Sequence, residues 1–180
     1  MRVFCFKPSR LFPLERATVK VLELSDGTQC LVDDCDYGRV NQYRWRLDSS
    51  GRYVSRKKRD NGKDASVYLH REILGVCDSA TYVDHVDRNP LNNLRSNLRV
   101  CSNSQNQANR TIVFRKHKRQ FKGVYWRPKK KAWVAEITCQ NIRHYLGYFK
   151  DEIEAAVAYN QKAIELFGDF ALLNKIQVQV

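Results

Sequence analysis

A chain of 180 residues with 43% hydrophobic content is long enough for one or two small folded domains. Its 32 Lys and Arg against 19 Asp and Glu leave a formal charge of +13, which points to a polyanionic partner. No apolar run approaches the roughly 18–20 residues that cross a membrane, and the opening MRVFCFKPSRLFPLE has too short an apolar stretch for a signal peptide, so no membrane partner and no secretion are expected. Six cysteines, at 5, 30, 35, 77, 101 and 139, form no CxxC pair. Reduced thiols and no structural zinc are therefore expected.

Residues 17–24 and 29–32 alternate around an SDGT turn and predict a hairpin. The spacing of tyrosine and valine predicts a helix over 33–43, with Asp33 or Asp34 as cap. Residues 44–47, 53–57 and 66–69 read as strands split by SSG and DNGK turns. That sheet has the basic run Arg56, Lys57, Lys58 and Arg59 to offer a phosphate backbone, or else a solvated turn. In VYLHREILG a strand passes into a short helix at His70.

The segment 83–110, VDHVDRNPLNNLRSNLRVCSNSQNQANR, holds seven asparagines from Asn89 to Asn109. Asparagine suits turns and side-chain bonds to the backbone better than helix or strand interiors. The pattern predicts a loop pinned by amides, with Asp84 and His85 at its entrance, a strand over 81–85, a partner over 98–101, and a helix over 102–110 capped by Ser102 or Asn103. A carboxylate next to an imidazole, with a distant oxygen donor folded back, suits metal-assisted hydrolysis. The bland alternative is that Asp84 caps a turn and His85 merely packs in a strand.

These residues resemble the HNH nuclease motif in its His-Asn-Asn form, as in phage and intron-encoded homing endonucleases. The resemblance implies a two-stranded hairpin and a helix wrapped around one divalent cation. It makes His85 the general base and Asn97 the residue that ties the loop, and it makes Asp84 and Asn106 the metal ligands. An oxygen donor set favours Mg2+ or Mn2+ over zinc. His70 then either contacts a DNA phosphate or packs beneath the site, and Arg71, Arg95 and Arg99 are candidate phosphate contacts.

Downstream, strands are predicted over 122–127, 132–138 and 142–149, followed by a helix from about Asp151 that Gly168 stops. From Arg110 to Lys150 there are twelve Lys or Arg against one acidic residue, Glu136, interleaved with Tyr125, Trp126 and Tyr145. That is an electrostatic footprint for phosphate. KGVYWR, WVAEI, YLGYF and EAAVAYNQKAIELFG resemble the Apetala-two/ethylene-response-factor DNA-binding domain. The resemblance implies a sheet in the major groove read out by Tyr125, Arg127, Glu136, Arg143 and Tyr145, with Lys129 and Lys130 at the backbone. Tyr125 and Thr138 stand where that family usually has arginine, and Tyr145 where it has tryptophan, so the bases read stay open. Trp133 and Phe149 are expected beneath the helix. Arg115 and Lys116, in the basic linker RTIVFRKHKRQ, are expected on DNA.

The expected fold is α+β: a small N-terminal antiparallel sheet (1–69), a central ββα-metal motif (70–110), a linker (111–120) and a three-stranded antiparallel sheet packed on one helix (121–180). The expected function is a homing-type, metal-dependent endonuclease acting as a monomer on double-stranded DNA inside the cell, in cytoplasm or nucleoid. The alternative is a catalytically silent, sequence-specific DNA-binding regulator.

Overall fold

The computed structural model describes residues 18–60, 62–111 and 120–176, and there each strand pairs antiparallel with its neighbour in sequence. The architecture is mixed α and β, with several small antiparallel sheets and few helices. No helix among these residues is long and apolar enough to cross a membrane.

Strands β1 (Val19–Glu23) and β2 (Gln29–Asp33) form the first hairpin. Helix α1 (Asp34–Val40) follows at once. It is shorter than the tyrosine–valine spacing implies, because Trp45 folds back: its indole Nε1–H donates to the Val40 carbonyl at 2.8 Å and its ring is fully buried. Strands β3 (Arg46–Leu47), β4 (Val54–Asp60) and β5 (Lys63–Tyr68) make the second sheet. Arg56 does not face outward as its basic run suggests. Its guanidinium lies 4.0 Å over the Tyr43 ring and donates to Glu72 at 3.0 Å. Alternation on β4 sends Arg56 to the covered face and leaves Lys57 exposed on the other.

Helix α2 (Leu69–Leu74) ends at Gly75, whose left-handed φ of 69° lets its N–H turn back to Glu72. Strands β6 (Tyr82–His85) and β7 (Leu98–Cys101) pair across the loop 86–97. Helix α3 (Asn103–Asn109) starts from a capping box: the Ser102 hydroxyl accepts from Gln105 N–H, and the Gln105 side chain accepts from Ser102 N–H.

Strands β8 (Val124–Arg127), β9 (Ala132–Cys139) and β10 (Ile142–Phe149) form the third sheet, under helix α4 (Glu152–Phe167). Strand β8 begins two residues later than the apolar pattern suggests. Gly123 has φ +72°, and Lys122 gives its backbone N–H and C=O to the Asn174 side chain instead of a strand partner. The Asp151 carboxylate caps α4 as its acidic first turn anticipates.

Two hydrophobic cores result. Leu22, Val32, Trp45, Val54, Leu69, Ile73 and Leu98 build the first, joining residues on both sides of position 70. The second lies between the third sheet and α4, with Val124, Ala135, Ile137, Ala155, Ala156, Tyr159 and Phe167 at its centre. Trp133 and Phe149 pack against it, and so does Ala108 of α3.

Candidate active site

The loop 86–97 is shaped by side-chain amides, and its hub is Asp87. The Asp87 N–H donates to Asn97 Oδ1 at 3.0 Å, and Asn97 Nδ2 returns a bond to Asp87 Oδ1 at 2.8 Å and another to the Asn92 carbonyl. Asn92 Nδ2 holds the other Asp87 oxygen at 2.7 Å. From below, Asn93 N–H donates to the Leu31 carbonyl, and Arg95 N–H donates to Asp33 at 2.7 Å. Asn97 therefore closes the loop end to end, and β1–β2 anchors its base.

Asp84 and His85, adjacent on β6, are 7% and 5% exposed, so little water screens them. Asn93 Nδ2 donates to the Pro90 carbonyl, which turns its Oδ1 toward His85 Nε2 at 3.4 Å. An amide oxygen can only accept, so this contact favours the tautomer with its proton on Nε2 and its lone pair on Nδ1. Burial pushes the His85 pKa below its ordinary value, against the opposing pull of Asn93, Asp87 and Asp84. The ring is a neutral base at physiological pH.

Asp84 Oδ2 accepts from Arg99 Nε at 3.1 Å and Nη2 at 2.9 Å. Asn109 Nδ2 reaches Oδ2 at 2.9 Å, Oδ1 at 3.1 Å and the His85 carbonyl at 3.0 Å. The amide bonded to the carboxylate is thus Asn109, whereas Asn106 lines the same cavity one helical turn earlier. That cavity, about 290 Å³, brings Asp84, His85, Asn106 and Asn109 together. Exposed Arg52, Arg88 and Arg110 also line it.

His70 is buried against His85, ring centroids 5.2 Å apart, with Tyr53 5.6 Å away. Desolvation, aided by His85 and Arg71, pushes it down to about 3. The structure places this ring, expected at a phosphate or beneath the site, in the packed layer with Tyr53, Tyr68 and His85. Arg99, expected at a phosphate, is turned inward to Asp84. Arg115 and Lys116 lie outside the described residues. The residues missed by sequence reasoning are Asp87, Asn93 and Asn109 within the asparagine-rich segment, and Arg52, Tyr53, Arg88 and Arg110 around the cavity. Only Asn109 had a signal, since it sits three residues from Asn106 and shares its helix face.

The third sheet keeps Tyr125, Arg127, Glu136, Arg143, Tyr145 and Tyr148 on the face away from α4, as its register dictates. Glu136 accepts from Tyr125 Oη at 3.0 Å and from Arg143 Nε at 2.8 Å, which offsets the one carboxylate on a basic face. Arg127 donates to Tyr148 Oη at 3.3 Å. Lys129 and Lys130 are exposed in the turn 128–130.

A neutral imidazole beside a carboxylate, in a cavity rimmed by arginines, is an arrangement that suits phosphodiester hydrolysis. The model of the family described as HNH endonuclease matches residues 68–108. The chain is 37% identical over 155 residues to an uncharacterized HNH endonuclease of Acanthamoeba polyphaga mimivirus, covering 83% of this chain and 76% of that protein. Over 97 residues it is 35% identical to an ethylene-responsive transcription factor of Arabidopsis thaliana, covering 51% of this chain and 58% of that protein. It is also 29% identical over 97 residues to protein 3.8 of Escherichia phage T7, covering 54% of this chain and 78% of that protein. No solved structure matches. The chain belongs to the HNH endonuclease family and is a DNA-cleaving hydrolase.

HNH endonucleases generally use a divalent metal. Among the described residues no three His, Cys, Asp or Glu side chains gather into a metal cage. The donors on the cavity are a carboxylate and amides, an oxygen set that fits a hard cation retaining several waters.

Proposed function

We propose that the chain is a metal-dependent, site-directed DNA endonuclease of the homing type. The observation that carries this reading is the single cavity shared by Asp84, His85 and Asn106 beneath Arg52, Arg88 and Arg110. Asp84 and Asn106 would hold one cation, Mg2+ or Mn2+, and when bound it stabilises charge on the phosphorane and on the departing 3′ oxygen. His85 takes the proton of the attacking water at Nδ1, with Asn93 fixing the tautomer from Nε2. Asn97 holds the loop that orients the imidazole. The three cavity arginines bind the phosphates that flank the scissile bond.

The chain divides on this reading into 1–69, a supporting region that shares its core with the nuclease motif of 70–110, a basic linker at 111–120, and 121–180, an Apetala-two-like duplex reader. The stretch of identity to the Arabidopsis transcription factor and the basic, tyrosine-rich sheet face support that last assignment. The sheet holds the target in the major groove through Arg127, Arg143, Tyr125 and Tyr145, with Lys129 and Lys130 on phosphates. The protein works inside the cell as a monomer on double-stranded DNA.

The Arabidopsis relative also favours a second reading, a sequence-specific regulator without cleavage. A randomised duplex library incubated with Mg2+ or Mn2+, with and without chelator, separates the two. Wild type is expected to cut only with the metal. His85→Ala is expected to lose about 10²–10⁴-fold in rate at an unchanged gel-shift midpoint. Cutting by His85→Ala at the wild-type rate overturns the general-base role.

A further inference from the structure

Arg99 stands between Asp84, its strand partner, and Asp169, which lies seventy residues beyond Arg99 in sequence. On one side, Nε and Nη2 fork onto Asp84 Oδ2, across a strand pair that sets Asp84 and Arg99 opposite each other. On the other, Nη1 donates to the Asp169 carbonyl at 2.9 Å, and the guanidinium carbon lies 3.8 Å over the Phe170 ring. Asp169 and Phe170 form the single turn that follows α4. The same junction is tied twice more: Leu172 N–H donates to the Ala108 carbonyl, and so does Lys122 Nζ.

We infer that Arg99 is a positioning residue through which the turn after α4 fixes the Asp84 carboxylate for its cation. The inference rests on the cation site proposed above. A guanidinium is a planar fork with fixed donor directions, so holding its plane holds the carboxylate that it grips. Phe170 holds that plane from one face, and the Asp169 carbonyl fixes its rotation. Oδ2 accepts from both Arg99 and Asn109 while Oδ1 accepts from Asn109 alone, so Oδ1 is the less engaged oxygen and the one turned to a ligand. The sheet that reads the duplex is packed on α4 and so shares a rigid path to the oxygen that binds the cation. Partners of a metal ligand typically change metal affinity by about 10–100-fold when removed.

The test alters the clamp and leaves the charge in place. Phe170→Leu keeps apolar bulk but has no ring face for the guanidinium, and Phe170→Tyr keeps the face. Arg99→Lys keeps the positive charge but lacks the fork, and serves as the second variant should Phe170→Leu not fold. Full-length proteins are titrated with Mn2+ alone, without DNA, and free Mn2+ is read by electron paramagnetic resonance. Thermal melting confirms that each variant is folded at the assay temperature. Phe170→Leu and Arg99→Lys are expected to bind Mn2+ about tenfold more weakly than wild type, with Phe170→Tyr restoring wild-type binding. Wild-type affinity in folded Phe170→Leu or Arg99→Lys overturns the coupling. Asp84→Asn is titrated alongside. If it too binds as wild type, the cation is not at Asp84, and the proposed centre falls together with this inference. If Asp84→Asn loses binding while the clamp variants do not, the centre stands and only the coupling is overturned.

Discussion

The Nδ2 of Asn109 lies 2.9 Å and 3.1 Å from the two oxygens of Asp84 and 3.0 Å from the carbonyl of His85. One buried amide therefore joins the carboxylate, the backbone of the proposed base and the end of α3. Asn106, three residues earlier, lines the cavity and is only half-buried. The two asparagines should respond differently to truncation. Asn109→Ala strands buried acceptors and is expected to cost about 1–3 kcal/mol in denaturant unfolding, together with a loss of cleavage. Asn106→Ala should stay within about 0.5 kcal/mol of wild type and lose Mn2+ binding and cleavage alone. Equal stability losses in the two variants would contradict this division.

This pair also shows how far the sequence could be read. The loop with Asp84 and His85 at its entrance was legible because turn chemistry and strand alternation act over a few residues, whereas the part of Asn97 came from the likeness to the nuclease motif. The start of α3 was legible in the same local way, to within the choice of Ser102 or Asn103 as its cap, and the Gln105 bond settles it on Ser102. Helical spacing puts Asn106 and Asn109 on one face, but choosing between them needs the position of α3 against β6. Asp87, the hub of the loop, carries no local signal that sets it apart, because its bonds to Asn92 and Asn97 exist only once the loop has closed. Arg99 looked like a phosphate contact because nothing near it in sequence reveals Phe170. The likeness to the Apetala-two domain grouped Tyr125, Arg127, Glu136, Arg143 and Tyr145 as one set, whereas the Glu136–Arg143 pairing depended on strand register.

The proposed base makes a prediction about acidity. Burial sets the His85 pKa below the ordinary 6.5, so the neutral ring persists to lower pH than in a free histidine. Single-turnover cleavage at saturating metal should be flat near neutral pH and fall tenfold per unit on the acid side, with half of the maximal rate reached below pH 6.5. A half-maximal rate above that value would rule out a desolvated His85 as the titrating base.

His70 predicts an effect on stability. It faces His85, Tyr53, Tyr68 and Arg71, and its pKa is about 3 in the fold against about 6.5 unfolded. The unfolded chain then binds a proton that the native state refuses. Native stability from this group is full above pH 6.5 and is lost as pH falls toward 3, by about 1.4 kcal/mol per unit. Chemical denaturation of wild type and His70→Phe at pH 7 and pH 5 should show the gap between them shift by about 2 kcal/mol in favour of the variant at pH 5. A gap independent of pH would mean that His70 titrates in the fold as it does in the unfolded chain.

On the third sheet, Arg143 has two jobs: it faces outward, and it holds Glu136, which Tyr125 also contacts. Removing it deletes a cation and releases a carboxylate on the same face. Arg143→Ala should therefore weaken DNA binding more than Arg127→Ala, and Glu136→Gln added to Arg143→Ala should recover part of the loss. Each phosphate contact removed should flatten the logarithmic salt dependence by about 0.9. Gel shifts of wild type and the three variants over a salt series decide this. A double variant no better than Arg143→Ala would show that Glu136 does not face the duplex.

Gly123 is where backbone and packing demands coincide. Its φ of +72° is a left-handed conformation, one that costs an L-residue roughly 1–2 kcal/mol. A methyl placed there would come within 2.2 Å of two carbons of the Tyr159 ring and 2.5 Å of the Glu136 carbonyl oxygen. Tyr159 is buried in the second core, and the Gly123 carbonyl accepts the Glu136 N–H at 2.9 Å, so neither neighbour can withdraw cheaply. Adding overpacking of about 1–3 kcal/mol to the backbone term gives a loss of about 2–5 kcal/mol for Gly123→Ala. The damage should be local to the second core. Hydrogen exchange should rise across β8, β9 and α4, while the amides of β4 and β5 in the second sheet, which pack on the first core, keep their protection. Uniform loss of protection would show that the two cores unfold as one unit, and an unchanged melting curve would show that Tyr159 does not pack on Gly123.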